Sequence, residues 1–250
     1  MIQYTECGDT SGPLIVFIHG GGVSGWMWKK QLEYFTNYHC LVPDLPGHGK
    51  SVNSTTFNIH TSATQIIELI EEKGTGKNIT VIGFSIGAQI LIEMLSLKPN
   101  LINYAIINSA LVRPILFAQV WATSLKLFLP LINNRAFSRI QAQSMYIDDD
   151  NFETYYQESR LMDKDTFVSI MHANMTFKLP ANFKSASSKI LVTVGEKEKS
   201  MMKQSLADIV KNNPNCKGLV IPKVGHGISL ANPDFFNKLV EDWIRSESIQ

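Results

Sequence analysis

A serine stands between two glycines in Gly83-Phe84-Ser85-Ile86-Gly87, directly after the apolar residues Val81-Ile82. Where a strand turns at once into a helix, the bend residue is forced into a strained backbone conformation. The residues two places to either side must then be small for strand and helix to close on each other. Glycine at both places meets that demand. The following residues, Ala88-Gln89-Ile90-Leu91-Ile92-Glu93-Met94-Leu95, form helix readily and meet no breaker before Pro99. Ser85 therefore falls at a helix N-terminus, where unpaired N–H groups favour developing negative charge. Such a serine is suited to nucleophilic attack, provided the chain also supplies a base, a carboxylate to orient the base, and donors for an oxyanion.

Donors are available in His19-Gly20-Gly21-Gly22, a glycine turn that follows the apolar run Leu14 to Ile18. Without Cβ atoms, its backbone N–H groups can approach an anion closely. The N–H groups of Gly21 and Ile86 together form a candidate oxyanion site, in which one donor is typically worth about 3 kcal/mol in the transition state. The base must come from six histidines: His19, His39, His48, His60, His172 and His226. Only His226, in Val224-Gly225-His226-Gly227, lies between glycines after the last apolar run and before the last helical pattern, a place at the carboxyl edge of a sheet. His19 fits a role bracing the glycine turn, and His48 sits in a glycine loop. For the acid, Gly195-Glu196-Lys197-Glu198 follows another apolar run, so that Glu198 or, as the alternative, Glu196 can accept the Nδ1 hydrogen of His226. After Tyr104–Ile107, where a carboxylate would serve equally well, the chain has Asn108-Ser109.

These residues need a frame that brings strand ends together, and the hydrophobic pattern predicts one. Short apolar runs near Ile2–Cys7, Leu14–Ile18, Cys40–Pro43, Ile79–Ile82, Tyr104–Ile107, Ile190–Val194 and Gly218–Ile221 read as strands, several of them apolar throughout and hence buried on both faces. Helical spacing of Ala63, Ile66, Ile67 and Ile70, and of Phe236, Leu239, Val240 and Trp243, marks amphipathic helices packed on that sheet. The pattern is that of an α/β domain. It breaks between residues 111 and 188, where only helical patterns occur, with Phe117, Trp121, Phe128, Phe137, Tyr155, Tyr156 and Phe167 among them. A structureless loop of that length is improbable within a domain, so the segment reads as a helical insertion folded over an apolar space.

Composition narrows the classes further. The 250 residues are 44% hydrophobic and 18% charged with a net charge of +1, a globular composition with no field to attract nucleic acid. Cys7, Cys40 and Cys216 are widely spaced and suggest neither a disulfide framework nor a zinc site, which fits a cytoplasmic protein. No signal peptide is visible at Met1–Glu6, and the apolar stretch from Ala110 to Ile132 is interrupted by Arg113, Pro114, Lys126 and Pro130, short of a membrane span. The oligomeric state is left open.

The chain order Ser85, Glu198, His226 and four motifs carry a resemblance to a known family. The motifs are His19-Gly20-Gly21-Gly22, Asp44-Leu45-Pro46-Gly47-His48-Gly49-Lys50-Ser51, the Ser85 pentapeptide and Gly225-His226-Gly227. Over residues 12–110 and 189–246 the sequence resembles the α/β-hydrolase superfamily, in particular small capped carboxylesterases, enol-lactone hydrolases and the esterase of biotin synthesis. The resemblance implies an α/β-hydrolase fold: a mostly parallel twisted sheet of about seven strands with helices on both faces. Residues 1–110 and 189–250 would form the core and 111–188 a helical cap. It implies Ser85 as nucleophile, His226 as general base, Gly21 and Ile86 as oxyanion donors, and a small-molecule ester or thioester as substrate, with no cofactor and no metal. The Asp44–Ser51 segment looks like the family's turn after the strand beside the nucleophile strand. One departure bears on chemistry: the family usually has Asp where this chain has Glu198. The same triad also serves lyase, carbon–carbon hydrolase and acyl-transfer chemistry, and the same fold serves non-catalytic ligand binding.

Overall fold

The computed structural model describes residues 2–52, 56–126 and 129–246. In chain order the elements are β1 (Gln3–Gly8), β2 (Leu14–Ile18), α1 (Lys29–Tyr34), β3 (His39–Asp44), α2 (Ile59–Lys73), β4 (Ile79–Phe84), α3 (Ile86–Leu97) and β5 (Tyr104–Asn108). Four helices follow: α4 (Ala118–Leu125), α5 (Arg135–Ser144), α6 (Asp149–Leu161) and α7 (Lys164–Thr176). The chain ends with β6 (Lys189–Gly195), α8 (Ser200–Asn212), β7 (Cys216–Ile221), α9 (Ile228–Ala231) and α10 (Pro233–Arg245).

Among the described residues the strands form one seven-stranded sheet in the order β1-β3-β2-β4-β5-β6-β7, with only β1 antiparallel to its neighbour. This is the α/β-hydrolase arrangement read from the sequence, down to the single strand before Leu14. Strands β2, β3 and β4 are buried at every residue because helices cover both faces, which is why their sequences do not alternate. On one face α2, α3 and α8 contribute Ile66, Leu91 and Ile209 to a common core. On the other, Trp28 packs between Phe17 and Phe236, with ring centroids 5.3 and 6.2 Å away.

The chain reverses its direction of travel across the sheet at β2. After β3 it crosses back over β2 to lay down β4, so β2 and β4 are neighbours and Ile18 pairs with Gly83. A crevice opens at the carboxyl ends of two such strands, and it lies between the glycine turn and Ser85. The sheet order corrects one expectation. Asp44–Ser51 leaves β3, and β3 lies beyond β2 rather than beside β4. The segment still reaches the glycine turn from that side, where His48 Nε2 accepts from Gly22 N–H at 3.2 Å, and it packs on α7, where a Cβ on Gly47, whose φ is +80°, would lie 2.3 Å from Thr166.

Between β5 and β6 the described residues hold α4 to α7 and no strand. Of the aromatic residues there, Tyr155 and Tyr156 are buried, while Phe117 and Trp121 are 77% and 59% exposed. Phe128 lies outside the described residues. Among the described residues no helix is long and apolar enough to cross a membrane.

Candidate active site

Ser85 is the single residue between β4 and α3, with φ 55° and ψ −115°, a region that a side chain enters only under constraint. The constraint is visible around it. The Ser85 N–H donates to Asn108 O at 2.9 Å, while its carbonyl accepts from Ala88 and Gln89 as the helix begins. A Cβ on Gly83 would lie 2.4 Å from Gly87 O, and one on Gly87 would lie 2.5 Å from the carbonyls of Ile18 and His19. Both glycines are therefore required by close backbone approach. The first N–H groups of α3 have no partner within the helix. Among the described residues no backbone acceptor engages Ile86 N–H or Gly21 N–H, whereas Gly22 N–H is taken by His48 Nε2 at 3.2 Å.

His226 lies on the loop after β7. Its Nδ1 donates to Glu198 Oε2 at 2.8 Å, and its ring packs on Phe84, the residue before Ser85, with centroids 4.8 Å apart. With Nδ1 carrying the hydrogen, Nε2 is the basic nitrogen. Among the described residues Ser85 and His226 share no direct hydrogen bond; catalytic contacts of this kind are often long without substrate and tighten when it binds. The His226 loop is held from the α5–α6 segment, where Tyr146 Oη accepts from Gly225 N–H at 2.9 Å.

Glu198 is the carboxylate brought to His226. Its side chain is 2% exposed, and its second oxygen accepts from Gly195 N–H at 2.8 Å and from the Ser109 hydroxyl at 2.7 Å. Burial opposes its charge. The hydrogen bond and charge of His226, with the Gly195 and Ser109 donors, outweigh burial and hold the carboxyl below its ordinary value. Glu196 goes elsewhere: it is exposed and accepts from Lys223 N–H at 2.8 Å, steadying a residue at φ 64°.

The other histidines are differently placed. His19 is fully buried; Leu45 N–H donates to its Nε2 at 2.9 Å, so Nδ1 carries the hydrogen and donates to Gly20 O at 2.8 Å. His48 accepts from Gly22 N–H and donates from Nδ1 to Pro46 O at 3.1 Å. The two rings meet edge-on with centroids 5.0 Å apart. Burial pushes His19 down to about 4, and burial with the charge of His19 pushes His48 down to about 3. Both are neutral braces of the glycine turn. His39 pairs with Glu6 and His60 with Glu93, both away from the crevice, and His172 borders a groove between α2 and α7.

Above Ser85 lies a cavity of about 390 Å³. Gly21, Ser85 and Ile86 form its floor, and Leu125, Met145, Phe167, Ile170 and Met171 from the segment between β5 and β6 form much of its wall. Among the described residues its lining is mostly apolar and carries no charged side chain, with Gln141, Tyr155, Ser159 and Asn174 as polar members beside Ser85. Further polar contacts fasten that segment to the core beside the cavity. Gln89 of α3 donates to Leu111 O and Asn174 O at 2.7 and 3.0 Å. Glu158 of α6 accepts from Trp26 Nε1 and Ser24 Oγ at 2.9 and 3.1 Å, and burial raises its pKa. Sequence reasoning missed Ser109, Tyr146 and Glu158. Only Ser109 carries a signal, since it occupies a strand end where a carboxylate would serve equally well.

The model of the alpha/beta hydrolase family matches residues 15–239. Lipase 1 of Psychrobacter immobilis is 25% identical over 242 residues, covering 89% of this chain and 74% of that protein. A 2-succinyl-6-hydroxy-2,4-cyclohexadiene-1-carboxylate synthase of Yersinia enterocolitica is 36% identical over 80 residues, 32% of this chain and 29% of that one. Several curated relatives are thus matched over about a third of their length, as with 36% of an AB hydrolase superfamily protein of Gibberella zeae. Among solved structures, the esterase of Exiguobacterium antarcticum superposes with a TM-score of 0.82 at 17% identity, covering 98% of this chain and 96% of that one.

Proposed function

The chain belongs to the alpha/beta hydrolase family, and from that premise we propose that it is a serine hydrolase cleaving a carboxylic ester or thioester with a small to medium, largely apolar acyl group. The observation that carries this reading is the Glu198–His226 hydrogen bond of 2.8 Å, set beside the strained Ser85 at the floor of an apolar cavity. His226 Nε2 takes the Ser85 proton as Oγ attacks the carbonyl carbon. The N–H groups of Gly21 and Ile86 receive the oxyanion, and the imidazolium, stabilised by Glu198, protonates the leaving alcohol or thiol. Water then enters by the reverse roles and frees the acid. Residues 111–188 act as the cap that keeps bulk water from the acyl-enzyme and selects the acyl group.

The wall of the cavity also bears on the competing lyase reading. A buried carboxylate without a cationic partner costs several kcal/mol, and the lining offers apolar and uncharged polar side chains. That composition favours a neutral ester over a carboxylate, the group in the name of the matched synthase. The test is a series of p-nitrophenyl esters and acyl-CoA thioesters of increasing chain length, run with wild type and Ser85→Ala. Burial of each methylene is worth about 0.8 kcal/mol, so kcat/KM should climb roughly fourfold per added methylene until the cavity is full. A flat series, or turnover that survives in Ser85→Ala, would overturn the proposal.

A further inference from the structure

Cys7 and Cys40 sit directly opposite each other in the antiparallel pairing of β1 with β3. Residues opposed in this way project to the same face of the sheet, with Cα atoms about 4.5 Å apart in one type of pair and about 5.5 Å in the other. Both separations fall within the range a disulfide spans. The packing agrees with the register: Cys40 belongs to the core cluster on one face, Cys7 packs against that cluster, and Cys216 packs against the cluster on the other face. Cys216 is on β7, at the far edge of the sheet from β1. All three cysteines are free thiols in this structure.

We infer that Cys7 and Cys40 form a redox modification site, an intramolecular cross-strand disulfide made by exchange with a small-molecule disulfide. The two thiols have unequal parts. Cys7 is half-buried on the edge strand β1, where a reagent can reach it, whereas Cys40 is fully buried and points its thiol at the carbonyls of Phe35 and Tyr38. Burial raises both thiols, Cys40 up to about 12, so the accessibility of Cys7 on the edge strand decides which one meets the reagent first. Cys7 therefore loses its proton and attacks a sulfur of glutathione disulfide. The glutathione S–S bond breaks, a Cys7–glutathione bond forms, and one glutathione thiolate leaves. Cys40 then gives up its proton and attacks the Cys7 sulfur, releasing the second glutathione. In sum the protein loses two electrons and two protons, and glutathione disulfide becomes two glutathione molecules.

The loop so closed runs from residue 7 to residue 40 and contains β2 and the glycine turn with Gly21. Its cross-link restricts the unfolded chain and ties down an edge strand that pairs with β3 alone. The experiment incubates the reduced full-length protein with glutathione disulfide, alkylates the remaining thiols and maps the peptides by mass. The expected wild-type product has lost two hydrogens, joins the peptides of Cys7 and Cys40, and leaves Cys216 alkylated. Its thermal midpoint should rise by on the order of 5–10 °C and fall back with dithiothreitol. Cys216→Ser should behave as wild type, and Cys40→Ser should stop as a glutathione adduct on Cys7. A wild-type protein that keeps glutathione on Cys7, that leaves Cys7 and Cys40 alkylatable, or that links through Cys216 would overturn the inference. The wild-type result decides it even where a variant fails to fold.

Discussion

Two pairs of side chains at the carboxyl edge of the sheet use histidine in opposite ways. At the ends of β2 and β3, His19 and His48 are buried, and each has both ring nitrogens engaged by backbone. At the ends of β6 and β7, His226 has one nitrogen held by Glu198 and a side chain that is 43% exposed. A ring with both nitrogens committed and its pKa driven down by burial holds backbone in place and cannot exchange a proton near neutrality. His226 instead has a buried carboxylate at one nitrogen and leaves the other without a hydrogen-bond partner among the described residues. Environment, and not residue type, divides the braces of the glycine turn from the candidate base.

The largest test of this division is kinetic. His226→Gln should lower kcat by about 10⁴–10⁶ while leaving the thermal midpoint close to wild type. His48→Ala, in contrast, should cost about 1–3 kcal/mol of stability in chemical denaturation and only about tenfold in kcat. If the two variants exchanged these signatures, the assignment of roles would be wrong. Glu198→Gln comes next, with an expected loss of about 10²–10⁴ in kcat as the ring loses its orienting charge.

A pH titration of stability separates the pairs in another way. In the unfolded chain both buried histidines take a proton near their ordinary value of 6.5, but in the folded chain they do so only at about 4 and about 3. Between those limits the unfolded chain holds more protons, so the stability they confer is full above pH 6.5 and is lost progressively as pH falls through about 4 and about 3. The slope from this source should approach about two protons near pH 5, and His48→Ala should halve it. An unchanged slope in that variant would show that its ring titrates normally. Smaller effects complete the series. Ser109→Ala removes one donor from Glu198 and should reduce kcat about tenfold or less, with KM unchanged. Glu196→Gln should change kcat by less than about twofold and stability by no more than about 0.5 kcal/mol, because it touches only an exposed turn.

Much of the frame was legible in the chain because its signals are local. The central strands read as unbroken apolar runs, and the demand for glycine at 83 and 87 follows from the bend itself. The carboxylate was legible only to within two candidates, since Glu196 and Glu198 share one turn, and their difference depends on Ser109, which arrives from β5. The Asp44–Ser51 turn was placed beside the wrong strand because the sequence records the order of strands along the chain but not their order in the sheet. Tyr146 and Glu158 left no mark at all. Each acts through hydrogen bonds to a segment far away in sequence, Gly225 for the first and Ser24 with Trp26 for the second.

The central claim is that Ser85 is a nucleophile served by His226. The most direct measurement is reaction with a fluorophosphonate, followed by peptide mapping and by labelling rates in His226→Gln and His48→Ala. The account predicts one label per chain on Ser85, lost with Ser85→Ala, slowed by several orders of magnitude in His226→Gln, and slowed by no more than about tenfold in His48→Ala. Folded wild-type protein that stays unlabelled, carries the label elsewhere, or labels at an undiminished rate without His226 would contradict it.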